Sequence, residues 1–444
     1  MNNITKACQK ALYATLLFLC ADLACAVDLL EIYDYALDSD PQYRQVAATK
    51  RAVLEQRPQA LAQLLPSLSF SANAFTNEQE IDSIFNPIDQ QGKVTFGSHG
   101  YSLDLTQPLF RGDRIIQYLQ ADNLIKQADA ELIAAEQDLI LRTTTAYFEV
   151  LAAYDNLGFA EAEKKSLSRQ LDQAKQRFDV GLTAITDVQE AQAGYDRAFA
   201  AEIEARNNVD NSTESLREIT GAYFSGLAPL GETMPLLSPQ PEEIETWTDA
   251  ALEQNLNVLA AQHSVDNARR EIKRQQAGHL PTVDMVARHS LDETGGRFGS
   301  FESTTSSVGV QLNVPIFQGG YVNSRVRETH ERLNAELERL EQARRNAQRL
   351  TRQAYLGVIS GISRVNALKQ AVVSSETALQ ATEAGFEVGT RTAVDVVAAE
   401  RATSQARRDY ARARYDYLLD TLRLKQASGS LSVEDLSHVN RWLN

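Results

Sequence analysis

Apolar and polar positions repeat with two different periods along this chain. Four stretches repeat every second residue, the period of a strand. In SLSFSANAF (67–75), Leu68, Phe70, Ala72 and Ala74 alternate with Ser69, Ser71 and Asn73. In GYSLDLTQ (100–107), Tyr101, Leu103 and Leu105 alternate with Ser102, Asp104 and Thr106. SVGVQLNV (307–314) sets Val308, Val310, Leu312 and Val314 against Gly309, Gln311 and Asn313. VDMVARH (283–289) alternates less cleanly, with Val283, Met285 and Ala287 against Asp284, Val286 and Arg288. These predict strands near 67–76, 100–108, 282–290 and 307–315, each close to the ~9–11 residues that a tilted membrane strand requires.

Elsewhere the period is helical. Ile125, Leu132, Leu139 and Ala146 recur every seven residues, with Ala128 and Ala135 between them, which is coiled-coil spacing. No proline occurs between Leu109 and Ala228, or from Ile316 to the C-terminus. Both stretches are rich in good helix formers. Residues 113–179 could be one helix about 100 Å long at ~1.5 Å per residue, and 321–387 another. Gly158, Gly357 and Gly361 weaken these helices locally without ending them.

The chain also repeats itself. LLPSLSF (64–70) parallels HLPTVDM (279–285), and TQPLFRGDR (106–114) parallels NVPIFQGGY (313–321). RFDVGLTAITDVQEA (177–191) parallels FEVGTRTAVDVVAAE (386–400), with Gly181 and Gly389, and Asp187 and Asp395, each 208 residues apart. Such a period is too long for a solenoid and reads as a doubled half-protein. We therefore expect a first repeat at 27–227 with its tip near 180–187, and a second at 258–427 with its tip near 388–395. A proline-rich linker at 228–257 joins them, and a short segment at 428–444 follows.

Four strands are too few to close a membrane barrel, since bacterial single-chain barrels start at about eight. An open sheet would leave unpaired backbone groups in lipid. If the strands span a membrane, several chains must share one barrel. Pro108 and Pro315 suit strand ends, and Asp113 is placed to cap the helix that follows. The segments 77–98 and 291–306 are expected as loops.

Composition narrows the reading. Lys6 and Lys10, the apolar run ALYATLLFL and Ala24-Cys25-Ala26 form the pattern of a secretory signal peptide, with cleavage expected after Ala26. Cys8, Cys20 and Cys25 all lie in it, so residues 27–444 hold no cysteine for a disulfide or a thiolate metal site. The net charge of −15 becomes −16 without residues 1–26, which argues against nucleic acid as a partner. The six histidines are scattered, and no nucleotide-binding loop or nucleophile elbow occurs. No enzyme and no cofactor is expected. Arg111-Gly112-Asp113 spells an adhesion tripeptide, but a strand-to-helix turn explains it better.

VGLTAITDVQ (180–189), VGTRTAVDV (388–396), GHLPTVD (278–284) and PIFQGG (315–320) together resemble the TolC family of outer-membrane efflux and type I secretion channels. TTAYFEVL (144–151), ARNNVDN (205–211) and NALKQAVVSS (366–375) extend the resemblance over nearly the whole chain. It implies a mostly α fold with membrane β: a homotrimer, with four strands per chain in a shared twelve-stranded outer-membrane barrel and a long coiled-coil helical tunnel in the periplasm. It also implies outer-membrane lipid, a periplasmic adaptor and an inner-membrane RND or ABC transporter as partners.

By the same resemblance, Gly181, Leu182, Gly389 and Thr390 receive the adaptor, and Thr186, Asp187, Phe386 and Arg391 latch the entrance. Asp395 contributes to an acidic ring. Phe386 stands where the family pattern has tyrosine, and Ala398 where it has a second aspartate, so the latch should lean on Arg391 and the ring should carry less charge. The competing reading is a non-conducting, trimeric coiled-coil structural protein or adhesin.

Overall fold

The computed structural model describes residues 27–81, 92–231, 234–296 and 299–443. The expected signal peptide lies outside them. Three short helices, α1 (Leu29–Ser39), α2 (Pro41–Leu54) and α3 (Gln56–Ala62), lead into strands β1 (Ser67–Ile81) and β2 (Gly92–Phe110). Then come α4 (Gly112–Asp179) and α5 (Ile185–Thr220), followed by α6 (Ile244–Gln254) and α7 (Leu256–Gln276). The second pair of strands is β3 (Thr282–Thr294) and β4 (Phe301–Asn313). The chain ends with α8 (Tyr321–Glu387), α9 (Ala393–Ser428) and α10 (Val433–Asn440).

The helical expectation holds, and the 68-residue α4 and 67-residue α8 run unbroken through Gly158, Gly357 and Gly361. Their turns fall at matching places: 179 and 387 end the long helices, and 185 and 393 begin the next, all offset by 208. Asp113 lies within the first turn of α4 rather than before it, so it favours the positive helix end without being the cap.

The strands run further than alternation suggested. β1 and β2 pair from Ser67↔Thr106 to Ile81↔Gly92, and β3 pairs with β4 from Thr282↔Asn313 to Thr294↔Phe301. Most of the segments expected as loops, 77–98 and 291–306, is therefore strand; the described residues outside strands are 295–296 and 299–300, and those between Ile81 and Gly92 lie outside the description. The extension is polar, and cross-strand ion pairs hold it: Lys93 lies 3.0 Å from Glu78 and 3.8 Å from Glu80. A search for apolar alternation misses strands stabilised this way.

The described residues divide into two compact units, those within Met1–Ala47, Leu132–Val258 and Arg344–Asn444, and those within Ala48–Glu131 and Leu259–Ala343. In the first unit, Leu29, Ile32 and Ala36 lie on one face of α1 and are fully buried. They join Tyr147, Phe148, Leu216, Leu418, Leu422 and Leu436 in one core. The linker and the C-terminal segment close over this core. Tyr147 donates to the Ala228 carbonyl at 2.8 Å, and Tyr417 accepts from the Leu237 N–H at 2.8 Å. Asn440 accepts from the Leu29 N–H at 2.9 Å and donates to Asp28 at 2.9 Å. Asp40 is buried, which would raise its pKa, but a two-pronged Arg142 at 2.8 and 3.2 Å and the Tyr43 N–H hold it below its usual value.

The second unit contains the sheet, in the order β1-β2-β3-β4 and antiparallel throughout. Arg111 meets Asp284 at 3.0 and 2.5 Å, so this residue of the Arg-Gly-Asp tripeptide is engaged within the fold. Glu271 accepts from Arg274, Gln275 and Gln120. Burial opposes its charge, yet these donors pull its pKa down to about 2.

Candidate functional site: two helix turns and a two-faced sheet

Each long helix ends in the same turn. The Leu182 N–H reaches the Arg177 carbonyl at 2.8 Å, and the Thr390 N–H reaches the Gly385 carbonyl at 2.8 Å. This six-residue closure requires a left-handed residue, and Gly181 (φ 76°) and Gly389 (φ 80°) supply it. Side chains on the turn are thrown outward. Val180 is 69% exposed, Leu182 78% and Val388 75%, an apolar display that the described residues leave largely uncovered. Gly181, Leu182, Gly389 and Thr390 are all exposed, as adaptor contact would need.

The residues expected to latch the entrance are only partly brought together. Asp187 accepts from the Thr183 hydroxyl, and Thr186 is exposed. Arg391 is exposed and forms no ion pair among the described residues, though its charge helps to lower the Asp395 pKa. Within one chain, therefore, Arg391 and Asp187 do not meet. Phe386 has a partner that sequence reasoning missed: the Arg177 guanidinium sits over its ring, 4.5 Å from the centroid. Such a cation–π contact needs no phenolic oxygen. Its only trace in the sequence is that both residues lie beside a glycine turn. The pair lines an open groove of about 710 Å³ with Gln173, Glu383 and Val396.

Asp395 caps α9. It accepts from the Thr392 N–H at 2.9 Å and from its hydroxyl at 3.0 Å, while Thr392 Oγ1 accepts from the Asp395 N–H at 3.3 Å. The Thr392 N–H and hydroxyl hold this half-buried residue's carboxyl below its usual value. Five residues on, Glu400 is shifted the other way. Burial raises its pKa, helped by Glu383 and Glu163 and opposed by a Ser166 hydrogen bond and Arg407.

The sheet has one apolar and one polar face over its helix-proximal rows. Leu68, Leu105, Ala287 and Val308 pair directly across all four strands on one face. The next rows on the other face are Ser69, Asp104, Arg288 and Ser307, then Ser71, Ser102, Ser290 and Thr305. Arg288 meets Asp104 at 3.4 Å, and Ser71 bonds Ser102 at 2.8 Å, both on the polar face. Phe70, Tyr101 and His289 form an aromatic run on the apolar one, with centroids 6.2 Å apart. Strands β1 and β4 each have one neighbour, so two edges are open. No helix among the described residues is long and apolar enough to cross a membrane.

Paired coiled-coil hairpins joined to a membrane-type sheet define the class as an outer-membrane channel subunit, and comparison with known proteins gives the family. Residues 32–222 and 247–430 match the family model "Outer membrane efflux protein", and the chain belongs to that family. It is 38% identical over 437 residues to the outer membrane protein TolC of Escherichia coli K12, covering 96% of this chain and 86% of the relative. It is 30% identical over 432 residues to the alkaline protease secretion protein AprF of Pseudomonas aeruginosa, covering 96% and 90%. Among solved structures, the outer membrane channel CmeC of Campylobacter jejuni superposes with a TM-score of 0.79 at 16% identity, covering 94% of this chain and 90% of that one.

Proposed function

We propose that the chain is a passive outer-membrane exit duct for multidrug efflux and type I protein secretion. The observation that carries this is the sheet. It has an apolar face, a hydroxyl-lined face and two unpaired edges, so only further copies can complete it in lipid. Three copies give the twelve-stranded barrel of the family, with the paired hairpins forming the periplasmic tunnel.

Transport energy comes from an inner-membrane RND or ABC transporter, reached through a periplasmic adaptor. The adaptor docks on the exposed turns at Gly181, Leu182, Gly389 and Thr390, where its own apolar tips cover Val180 and Val388. The entrance is held shut by two kinds of contact. Arg177 over Phe386 clasps the hairpins of one chain. Arg391, which forms no ion pair among the described residues, reaches the Thr186–Asp187 turn of a neighbouring copy, where an arginine–carboxylate bond is directional. Asp395 supplies one carboxylate per chain to a cation-favouring ring. With Ala398 at the second acidic position, divalent block at this ring should be weak and should disappear in Asp395→Ala.

Single-channel current from purified protein in a planar bilayer tests the reading. A small, cation-selective conductance that rises in Arg391→Ser is expected. No current from inserted trimers, in the wild type and in that variant alike, would overturn the duct in favour of a non-conducting structural protein or adhesin.

A further inference from the structure

The two hairpins of the sheet repeat each other residue for residue. LLPSLSF (64–70) precedes HLPTVDM (279–285) by 215 residues, and TQPLFRGDR (106–114) precedes NVPIFQGGY (313–321) by 207. The folded hairpins keep both offsets. Ser67 pairs with Thr106, and their equivalents, Thr282 and Asn313, pair with each other.

At the helix-proximal end the two halves part company. Pro108, Leu109 and Phe110 belong to β2, and β3 pairs beside them: Thr106↔Val286, Gln107↔Met285, Pro108↔Asp284 and, past a bulge, Phe110↔Val283. Their equivalents, Pro315, Ile316 and Phe317, follow the end of β4 and are not strand. Ile316 is 94% exposed and Phe317 87%, against 56% for Leu109 and 40% for Phe110. The same pattern has a partner strand in one half and lacks it in the other. The strand equivalent to β3 is β1, but β1 of the same chain lies at the opposite edge of the sheet. The missing partner is therefore β1 of a second copy.

We propose that β4 of one copy pairs with β1 of the next in the register in which β2 pairs with β3. Carrying the β2–β3 pairs over by the two offsets sets Gln311 opposite Asn73 of the next copy and Asn313 opposite Ser71. Phe317 falls opposite Leu68, past the same bulge. The inference rests on the shared-barrel reading and gives its seam.

Three observations support this register. First, the faces match. Val310 and Leu312 meet Ala74 and Ala72 on the apolar face, while Gln311 and Asn313 meet Asn73 and Ser71 on the polar one. A slip of one residue would set apolar side chains beside polar ones throughout. Second, Val314 and Ile316 continue the apolar alternation of β4 beyond Asn313, where the β3 ladder ends. Backbone groups at membrane depth need partners, and the start of the neighbouring β1 supplies them. Third, the junction inside a copy is charged and the seam is not. Arg111 meets Asp284, and Arg288 meets Asp104. The equivalent seam positions hold Gln318 with Ser69, and Gln311 with Asn73. Joining separate copies through ion pairs would cost the desolvation of both charges, which amides and hydroxyls largely avoid.

Disulfide trapping tests the register, since residues 27–444 hold no cysteine of their own. Directly opposed residues lie within disulfide reach, and a two-residue slip takes them out of it. Asn73 and Gln311 of one chain are three strand spacings of ~4.8 Å apart, so any bond between cysteines there joins two copies. Gln311→Cys with Asn73→Cys, and separately Leu312→Cys with Ala72→Cys, should give covalent dimers and trimers on a denaturing gel after mild oxidation. Both should link roughly tenfold faster or more than Gln311→Cys combined with Ser71→Cys or with Phe75→Cys. Faster linkage in either offset pair overturns the register and leaves the shared barrel standing. No linkage in any of the four also overturns the register, and the bilayer conductance of the same variants then decides whether the shared barrel falls with it.

Discussion

The turn at 179–185 and the turn at 387–393 have the same backbone and different chemistry. Both close through a left-handed glycine and the same six-residue hydrogen bond. The helix that follows is capped in only one. α9 begins at Thr392 with a complete capping box to Asp395, whereas α5 begins at Ala184, whose side chain offers no bond. In the first turn Asp187 takes a hydroxyl from Thr183 instead. Glycine dictates the path, so the path is repeated wherever the glycine is. Capping is a separate property of one side chain, and it has changed freely. By its capping box the second turn is expected to be the stiffer of the two. The first keeps Asp187 on a single flexible partner and leaves it more available to a neighbouring chain.

Replacing the glycines should have the largest effect. Gly181→Trp and Gly389→Trp both put a large side chain on a left-handed residue in open space. Each should reduce drug resistance to that of cells lacking the protein, with trimer abundance unchanged. If only one variant does so, the two turns are not equivalent docking points. Next in size is the clasp. A cation–π contact at an exposed site contributes about 0.5–1 kcal/mol, or roughly two- to fivefold in an opening equilibrium. Arg177→Ser and Phe386→Leu should raise basal conductance by about that factor, while Phe386→Tyr should not. An unchanged conductance in both would remove the clasp from the closed state.

The caps can be exchanged to ask whether stiffness follows the side chain. Thr392→Ala should weaken the start of α9 by ~1 kcal/mol, and Ala184→Ser should strengthen α5 by ~0.5–1 kcal/mol. Hydrogen exchange of the first-turn amides reports both. If those amides exchange alike in wild type and variants, capping is not what separates the turns.

The smallest effect concerns Glu400. Its folded pKa lies above the ordinary value, so the folded state holds the proton more tightly than the unfolded state. Stability should therefore fall as pH rises from the ordinary glutamate range through the raised pKa. Glu400→Gln should remove that slope and be the more stable form at neutral pH, as followed by thermal unfolding at several pH values. A steeper slope in the variant would contradict the assignment.

Much of this protein can be read along the chain because its signals are local. Proline-free stretches announced α4 and α8, and a seven-residue period marked α4 as well. Alternation located all four strands, and the 208-residue repeat matched the two turns to the residue. Family motifs in the turns pointed to Gly181, Gly389 and Asp395. These features depend on near neighbours, where backbone sterics and short hydrogen bonds dominate. What required the folded chain are pairings between residues far apart in sequence. The ion-paired strand extensions looked like loops because their stabilisation comes across strands. Arg177 over Phe386, Arg111 on Asp284 and Arg288 beside Asp104 each depend on register or on packing between elements. No local period encodes such partners, because the distance between them is set only when the strands and helices dock.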